Sequence, residues 1–348
     1  MAGPHPFGLH RSLDPAGVLP QVARRLDATP RALENEVAVS VRALSIDSAS
    51  FRQLREAEVS TGEALADQIG RIVRERGKMQ NPVTGSGGML LGEVAEVGPR
   101  HPAAGALSRG ERIASLVSLT LTPLHLESIG EVHVETERVD VSGTAILFAR
   151  TLYARLPEDF PEEVALAAFD VAGAPATVLR DARAGQTVLV IGTGKAGLLC
   201  LAAAREAVGP EGRVLAVEPS ASASERARGL ALADAVFSID ARDPVAMLSA
   251  IETATSGRLC DLVVNVANAS GTETASVLCA RDDGAVLFFG MATSFSAAAL
   301  GAEGLARPTT LLIGNGYVPG HDQTALALLR RHASLRHAFA SLAGKPGR

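Results

Sequence analysis

The chain has 348 residues, 47% hydrophobic and 20% charged, with a formal net charge of −5. That is globular material for roughly two domains at about 150 residues each, and its acidic balance without a long basic tract argues against nucleic acid as a partner. The longest apolar run, "LLCLAAA" from Leu198, falls far below the ~18 residues a membrane helix needs, and the start "MAGPHPFGLHRSLDP" lacks a basic region followed by an apolar one, so a soluble cytoplasmic protein with no membrane partner is expected.

Up to residue 155, short alternating runs such as "EVAVSVRAL", "LGEVAEVG" and "VHVETERVDV" predict half-exposed antiparallel strands broken by Gly and Pro. A helical stretch, "STGEALADQIGRIVRERG", interrupts them, with Ser60 and Glu63 as a capping box. After it comes "NPVTGSGGMLLG", residues 81–92, glycine at four of twelve positions. Loops this pliable can cradle a phosphate, line a pocket or merely turn the chain.

From Thr187 the pattern becomes strand, glycine turn, helix. "TVLVI", "RVLAVE", "DLVVNV" and "AVLFFG" are near-continuous apolar strands separated by helix-length segments, which predicts a doubly wound parallel sheet. The expected organisation is a β-rich domain over 1–155 and an α/β domain over 156–314, with 315–348 a candidate to pack against the first. Cys200, Cys260 and Cys279 are far apart inside regular elements, as buried reduced thiols would be.

Within the sheet, Gly192, Gly194 and Gly197 form G-x-G-x-x-G between the strand "VLVI" and the helix "AGLLCLAAA". The first glycine permits the tight turn, the second admits a pyrophosphate against the backbone, and the third lets helix pack on strand. A second strand follows and ends in Glu218, 21 residues after Gly197, where a carboxylate can accept from the adenosine ribose hydroxyls and repel a 2′-phosphate. NAD is therefore the expected cofactor. Its contacts are expected from Gly192, Thr193, Gly194, Lys195, Ala196, Gly197 and Glu218, and from Asn268, Gly290 and Met291 after later strands.

The whole chain resembles the medium-chain dehydrogenase/reductase superfamily, through "RGERIASLVSL", "LYARLPEDFPEEVALAAFDVAGAP", "RAGQTVLVIGTGKAG" and "DDGAVLFFGMAT" in that order. The resemblance implies a GroES-like β-rich catalytic domain followed by a Rossmann domain. In zinc-dependent members a Gly-His-Glu sequence precedes a Gly-x-Val-x-x-Val-Gly strand, and its histidine binds the metal. Here Gly85-Ser86-Gly87 precedes "GEVAEVG", so Ser86 stands where the ligand should be. "ALSIDSASF" offers Asp47 and two serines in place of the usual cysteine, and the four cysteines of the structural zinc lobe are missing too. Zinc needs three or four good donors, so a metal-free enzyme is expected. The C-terminus departs from the superfamily pattern, ending in "LRHAFASLAGKPGR" where most members add a further strand.

Longer runs narrow the resemblance. "GKMQNPVTGSGGML", "IDSASF", "LVSLTLTPL", "FDVAGAPA", "GMATSFSAAALGAEG", "LIGNGY" and "GLHRSLDPAGVLPQ" are similar to the L-erythro-3,5-diaminohexanoate dehydrogenase family, the amine-oxidising branch found in lysine fermentation. That resemblance implies oxidative deamination of a small diamino acid at C3 with NAD. Such chemistry needs a group to take the amine's proton. Lys78, the only lysine beside the glycine loop, is the first candidate, with Asp47 or Glu303 acting through water as alternatives. The substrate's second ammonium could meet Asp47, Asp170 or Glu303, and its carboxylate Ser86 or Thr84 with nearby backbone donors. Lys78 could equally be a plain surface lysine. A homo-oligomer, dimer or tetramer, is expected. The rival readings are a zinc-free enoyl or quinone reductase and a catalytically silent NAD-binding protein.

Overall fold

The computed structural model describes residues 4–57, 61–290 and 292–343. The chain forms two compact units, one running to Glu162 and the other from Glu163 to Ala343.

The first unit begins with β1 (Ser12–Asp14) and β2 (Arg25–Leu26), a small antiparallel pair. β3 (Glu36–Ser45) leads through α1 (Ser48–Ala57) and α2 (Gly62–Arg76) to β4 (Met89–Val97) and β5 (Arg112–Ser115), and then to β6 (Leu124–His133), β7 (Arg138–Phe148) and β8 (Tyr153–Arg155). β3 to β8 form one antiparallel sheet in the order β6-β7-β3-β4-β5-β8. β3, expected to be half exposed, is instead mostly buried. It runs between β7 and β4, and Val37, Val39 and Val41 on one face join Phe51 and Leu54 of α1 and Leu65, Ile69 and Val73 of α2. Ala38 on the other face packs with Ile146 and Phe148.

α2 buries Leu65, Ile69, Ile72 and Val73 at helical spacing, each burial stabilising by roughly 1.5–3 kcal/mol. Its N-cap is Thr61, whose hydroxyl accepts from Ala64 N at 3.3 Å; the expected cap Ser60 lies outside the described residues. Gly77 ends the helix in the left-handed conformation, φ 63°. The N-terminal segment is tied down by a buried ion pair. Arg11 bonds Glu36 through Nε at 3.0 Å and Nη2 at 2.6 Å, while His10 and the Leu33 amide also bond that carboxylate.

The second unit carries α3 (Glu162–Val171), whose first residue closes the first unit, and α4 (Gly173–Asp181). Then follow β9 (Thr187–Ile191), α5 (Lys195–Val208), β10 (Arg213–Val217), α6 (Ala221–Gly229), β11 (Ala235–Phe237), α7 (Pro244–Thr255), β12 (Cys260–Asn265), α8 (Glu273–Cys279) and β13 (Ala280–Phe288). α9 (Phe295–Gly304), β14 (Thr310–Ile313), α10 (His321–Arg331) and α11 (Ala333–Ala343) complete it. All six strands are parallel, in the order β11-β10-β9-β12-β13-β14. The order reverses at β9, the switch point where sheets of this kind bind ligands beyond their strand ends.

The segment after residue 314 belongs to this unit through its described part, not to the β-rich one. α10 packs on α4 and α5, and α11 on α5. Leu326, Leu329, Leu335 and Phe339 are buried, and Arg331 and His332 bond Glu206 of α5. The three cysteines are free and buried, and burial pushes their thiols well up from the usual range. No helix among the described residues is long and apolar enough to cross a membrane.

Candidate active site

Two clusters of candidate residues stand out, one in each unit. In the second, the three glycines behave as three different devices. Gly192 takes φ 91°, and an added Cβ would lie 3.0 Å from the Ala267 backbone, so the turn after β9 needs glycine. Gly194 caps α5 with open space where its Cβ would point. At Gly197 a Cβ would collide with the Gly192 carbonyl oxygen. The middle position is thus the one left clear for an approaching anion, with the N-terminus of α5 behind it.

Glu218, directly after β10, folds back onto this loop. Its Oε2 accepts from the Thr193 amide at 2.9 Å and hydroxyl at 3.1 Å, and its Oε1 from the Ser220 amide at 3.0 Å. Thr193 is fully buried. Its amide therefore serves the carboxylate. A carboxylate offers about four acceptor sites, so three bonds leave room for a ribose hydroxyl. Gly290, after β13, comes so close to the Ala267 carbonyl that a Cβ would stand 2.5 Å from it. Gly192 and Gly290 thus both close on Ala267, packing the loops after β9, β12 and β13 together. Asn268 is exposed on the loop after β12, and Met291 lies outside the described residues. Sequence reasoning missed the brace beneath this loop. Asn265, fully buried, donates to Thr272 and Ser276 at 2.8 and 2.9 Å and accepts from Ala267 N at 3.1 Å.

In the first unit, the glycine-rich segment 81–92 is not a phosphate cradle. Three of its four glycines are pressed on the protein's own backbone: a Cβ on Gly87 would strike the Met79 carbonyl, one on Gly88, φ 93°, would strike Ser45 O and crowd Asp47 N, and one on Gly92 would strike Ser40 O. The segment is pressed onto the start of α1. Asp47 caps that helix, Oδ1 accepting from Ser50 N at 2.9 Å, and Ser50 Oγ meets Thr84 Oγ1 at 2.6 Å. Thr84 Oγ1 also accepts from Ser86 N at 3.3 Å. Asp47, Thr84 and Ser86, separate candidates in the sequence, are therefore joined through Ser50. Asn81, not singled out in the sequence, organises the turn. Its Oδ1 accepts from Val83 N and Thr84 N, and its Nδ2 donates to Ser50 O and Gln53 Oε1. Asp47 Oδ2 is buried without a hydrogen-bond partner.

Lys78 is no surface residue. It is fully buried, and Nζ donates to Pro20 O at 2.7 Å and Gln21 O at 3.4 Å, leaving the third ammonium hydrogen for another acceptor. Burial, reinforced by the nearby Arg76 charge, lowers its ionisation to about 8. Asp170 and Glu303 fare differently. Asp170 is exposed at the end of α3, and Glu303 is exposed in the last turn of α9. A carboxylate there sits near the negative end of the helix dipole at an exposed position, a poor setting for a desolvated base. Among the described residues, no three His, Cys, Asp or Glu side chains gather closely enough to hold a metal ion.

A family profile described as the L-erythro-3,5-diaminohexanoate dehydrogenase N-terminal domain matches residues 10–157. A protein of Acetoanaerobium sticklandii named L-erythro-3,5-diaminohexanoate dehydrogenase is 42% identical over 334 residues, 96% of this chain and 97% of its own. A Fusobacterium nucleatum protein of the same name is 44% identical over 336 residues, again 96% and 97% of the two chains. Among solved structures, a mycobacterial protein determined with NADPH shares the fold, with a TM-score of 0.53 at 20% identity over 93% of this chain and 86% of its own.

Proposed function

The chain belongs to the L-erythro-3,5-diaminohexanoate dehydrogenase family, and from that premise we propose that it oxidatively deaminates (3S,5S)-3,5-diaminohexanoate at C3 with NAD, giving 5-amino-3-oxohexanoate, ammonium and NADH. The observation that carries this reading is identity of 42–44% to two proteins of that name across 96% of the chain. The glycine loop agrees with it. Its open position at Gly194 fits a dinucleotide, whose nicotinamide supplies the hydride acceptor when bound.

The chain's own residues take the remaining tasks. The amides of Gly194, Lys195 and Ala196 hold the pyrophosphate, and Glu218, fixed by Thr193 and Ser220, faces the adenosine ribose, where its charge disfavours a 2′-phosphate. In the first unit, Asp47 meets a substrate ammonium, and Thr84 and Ser86 offer hydroxyls to the carboxylate. Lys78, ionising at about 8, accepts the proton that the reacting amine must shed before hydride can leave. Water then adds to the oxidised carbon and ammonia departs. The donor set, with Ser86 and Asp47 where the superfamily places metal ligands, supports a metal-free reaction.

Purified protein offered 3,5-diaminohexanoate and simpler β-amino acids, with NAD and with NADP, tests this reading. NADH should appear fastest with the diamino acid. No turnover of any amine with either nicotinamide would overturn the reading, and faster turnover with NADP would overturn the cofactor assignment.

A further inference from the structure

Three buried side-chain oxygens around the glycine-rich segment of the first unit have no hydrogen-bond partner: Asp47 Oδ2 and the hydroxyls of Thr120 and Thr122. Thr120 and Thr122 are each only 1% exposed. Buried polar atoms are almost always paired, because an unpaired one has given up water for nothing. Two kinds of atom are left over here. One is an acceptor carrying negative charge, and the others are neutral hydroxyls able to donate.

The backbone ties the stretches that carry Asp47 and Thr120 to one residue, Gly88. Leu119 N donates to Gly88 O at 2.9 Å, and Leu124 N to Gly77 O at 2.9 Å, so the two ends of the stretch 119–124 are tied to the two ends of 77–88. Gly88 in turn lies directly on the backbone of Asp47. Asp47 thus flanks Gly88 on one side and Leu119–Thr120 on the other. Thr122 lies two residues before Leu124, whose amide is tied to Gly77. The local structure keeps Thr120 in place without its hydroxyl, since its amide donates to Ser118 Oγ at 3.3 Å.

We propose that Asp47 Oδ2 and the Thr120 hydroxyl are the two poles that select a zwitterionic diamino acid, the carboxylate of Asp47 taking the non-reacting C5 ammonium and Thr120 donating to the substrate carboxylate. This rests on the deamination proposed above. It deepens it by assigning substrate selection to an unsatisfied pair and by adding Thr120, which lies in the run "LVSLTLTPL" but is not among the site residues expected from the sequence. A monoamine lacking the C5 ammonium leaves Asp47 Oδ2 unpaired, and a site built to pair a group rejects the ligand that lacks it.

The test compares wild type with Asp47→Asn, Asp47→Ser, Thr120→Val and Thr120→Ser, using 3,5-diaminohexanoate as substrate and 3-aminohexanoate as competitive ligand. Asn and Ser at 47 both keep an acceptor for the Ser50 amide, so the cap on α1 survives even if one variant folds poorly. In wild type, 3-aminohexanoate should bind about 10- to 100-fold more weakly than the diamino acid, the worth of a charged hydrogen bond. Asp47→Asn and Asp47→Ser should raise KM for the diamino acid by a similar factor, with kcat changed less than about threefold, and should leave 3-aminohexanoate binding unchanged. Thr120→Val should weaken both ligands, and Thr120→Ser should restore them. Equal weakening of both ligands by the Asp47 variants, or no change in KM, would overturn the assignment while leaving the deamination standing. Absence of deamination by wild type would remove both.

Discussion

Lys78 shows how far one side chain can be judged from its neighbours in sequence. Its scarcity and its place beside the glycine loop single it out, but its burial depends on Pro20, 58 residues away, and no local pattern reports that contact. As the proton acceptor it must be neutral, so kcat/KM should rise as pH passes upward through about 8 and level off above. Lys78→Ala should lower kcat by ~10²–10⁴-fold and abolish that rise, and Lys78→Arg should not restore it, because guanidinium stays protonated. A variant that loses only thermal stability, with the pH profile intact, would leave Lys78 as a tether for residues 20–21. Glu218 was legible from its distance after the glycine loop; that Thr193 would hold it was not, since side-chain direction at a strand end is set by the loop opposite. Glu218→Ser should narrow the preference for NAD over NADP by about tenfold or more, read as the ratio of kcat/KM values. An unchanged ratio would mean the carboxylate serves only the loop.

At the scale of elements, the glycine loop makes a prediction that composition alone could not. Gly194 has open space for a Cβ and a φ that alanine adopts, whereas Gly197 has the Gly192 carbonyl in the way. Gly194→Ala should therefore fold with an unchanged Tm yet bind NADH at least about tenfold more weakly, while Gly197→Ala should lose Tm as well. Equal Tm losses would contradict the division of labour. The long apolar strands β9, β10, β12 and β13 were readable because both faces are buried. β11 and β14 were not, being only 3 and 4 residues long and half exposed. For the helices after β14 the sequence offered no address, because an amphipathic helix does not encode which unit supplies its partner. The glycine-rich segment 81–92 misleads in a similar way. Its glycines suggest ligand contact, but three of the four meet the protein's own backbone, and the substrate contacts proposed above rest on oxygens left unpaired.

Across the whole molecule, the residues proposed to handle the amine lie in loops of the unit with the antiparallel sheet, and the glycine loop lies in the unit with the parallel one. The acid limit of stability should be set in part by Glu36. Burial alone would raise its pKa, but hydrogen bonds from His10, Arg11 and Leu33 and the Arg11 charge hold it down at about 2, against 4.5 unperturbed. A depressed carboxylate stabilises fully above the unfolded value and loses that contribution as pH falls through the folded one. Glu36→Gln should accordingly lower Tm at neutral pH and flatten its fall between pH 4.5 and 2. An unaltered slope would assign acid unfolding to other carboxylates. The central claim, oxidative deamination by a metal-free nicotinamide enzyme, is tested most directly by measuring NADH and ammonium together from 3,5-diaminohexanoate and NAD in the presence of a strong chelator. The account predicts that the two appear in equal amounts at an undiminished rate. NADH without ammonium, or activity lost with the metal, would contradict it.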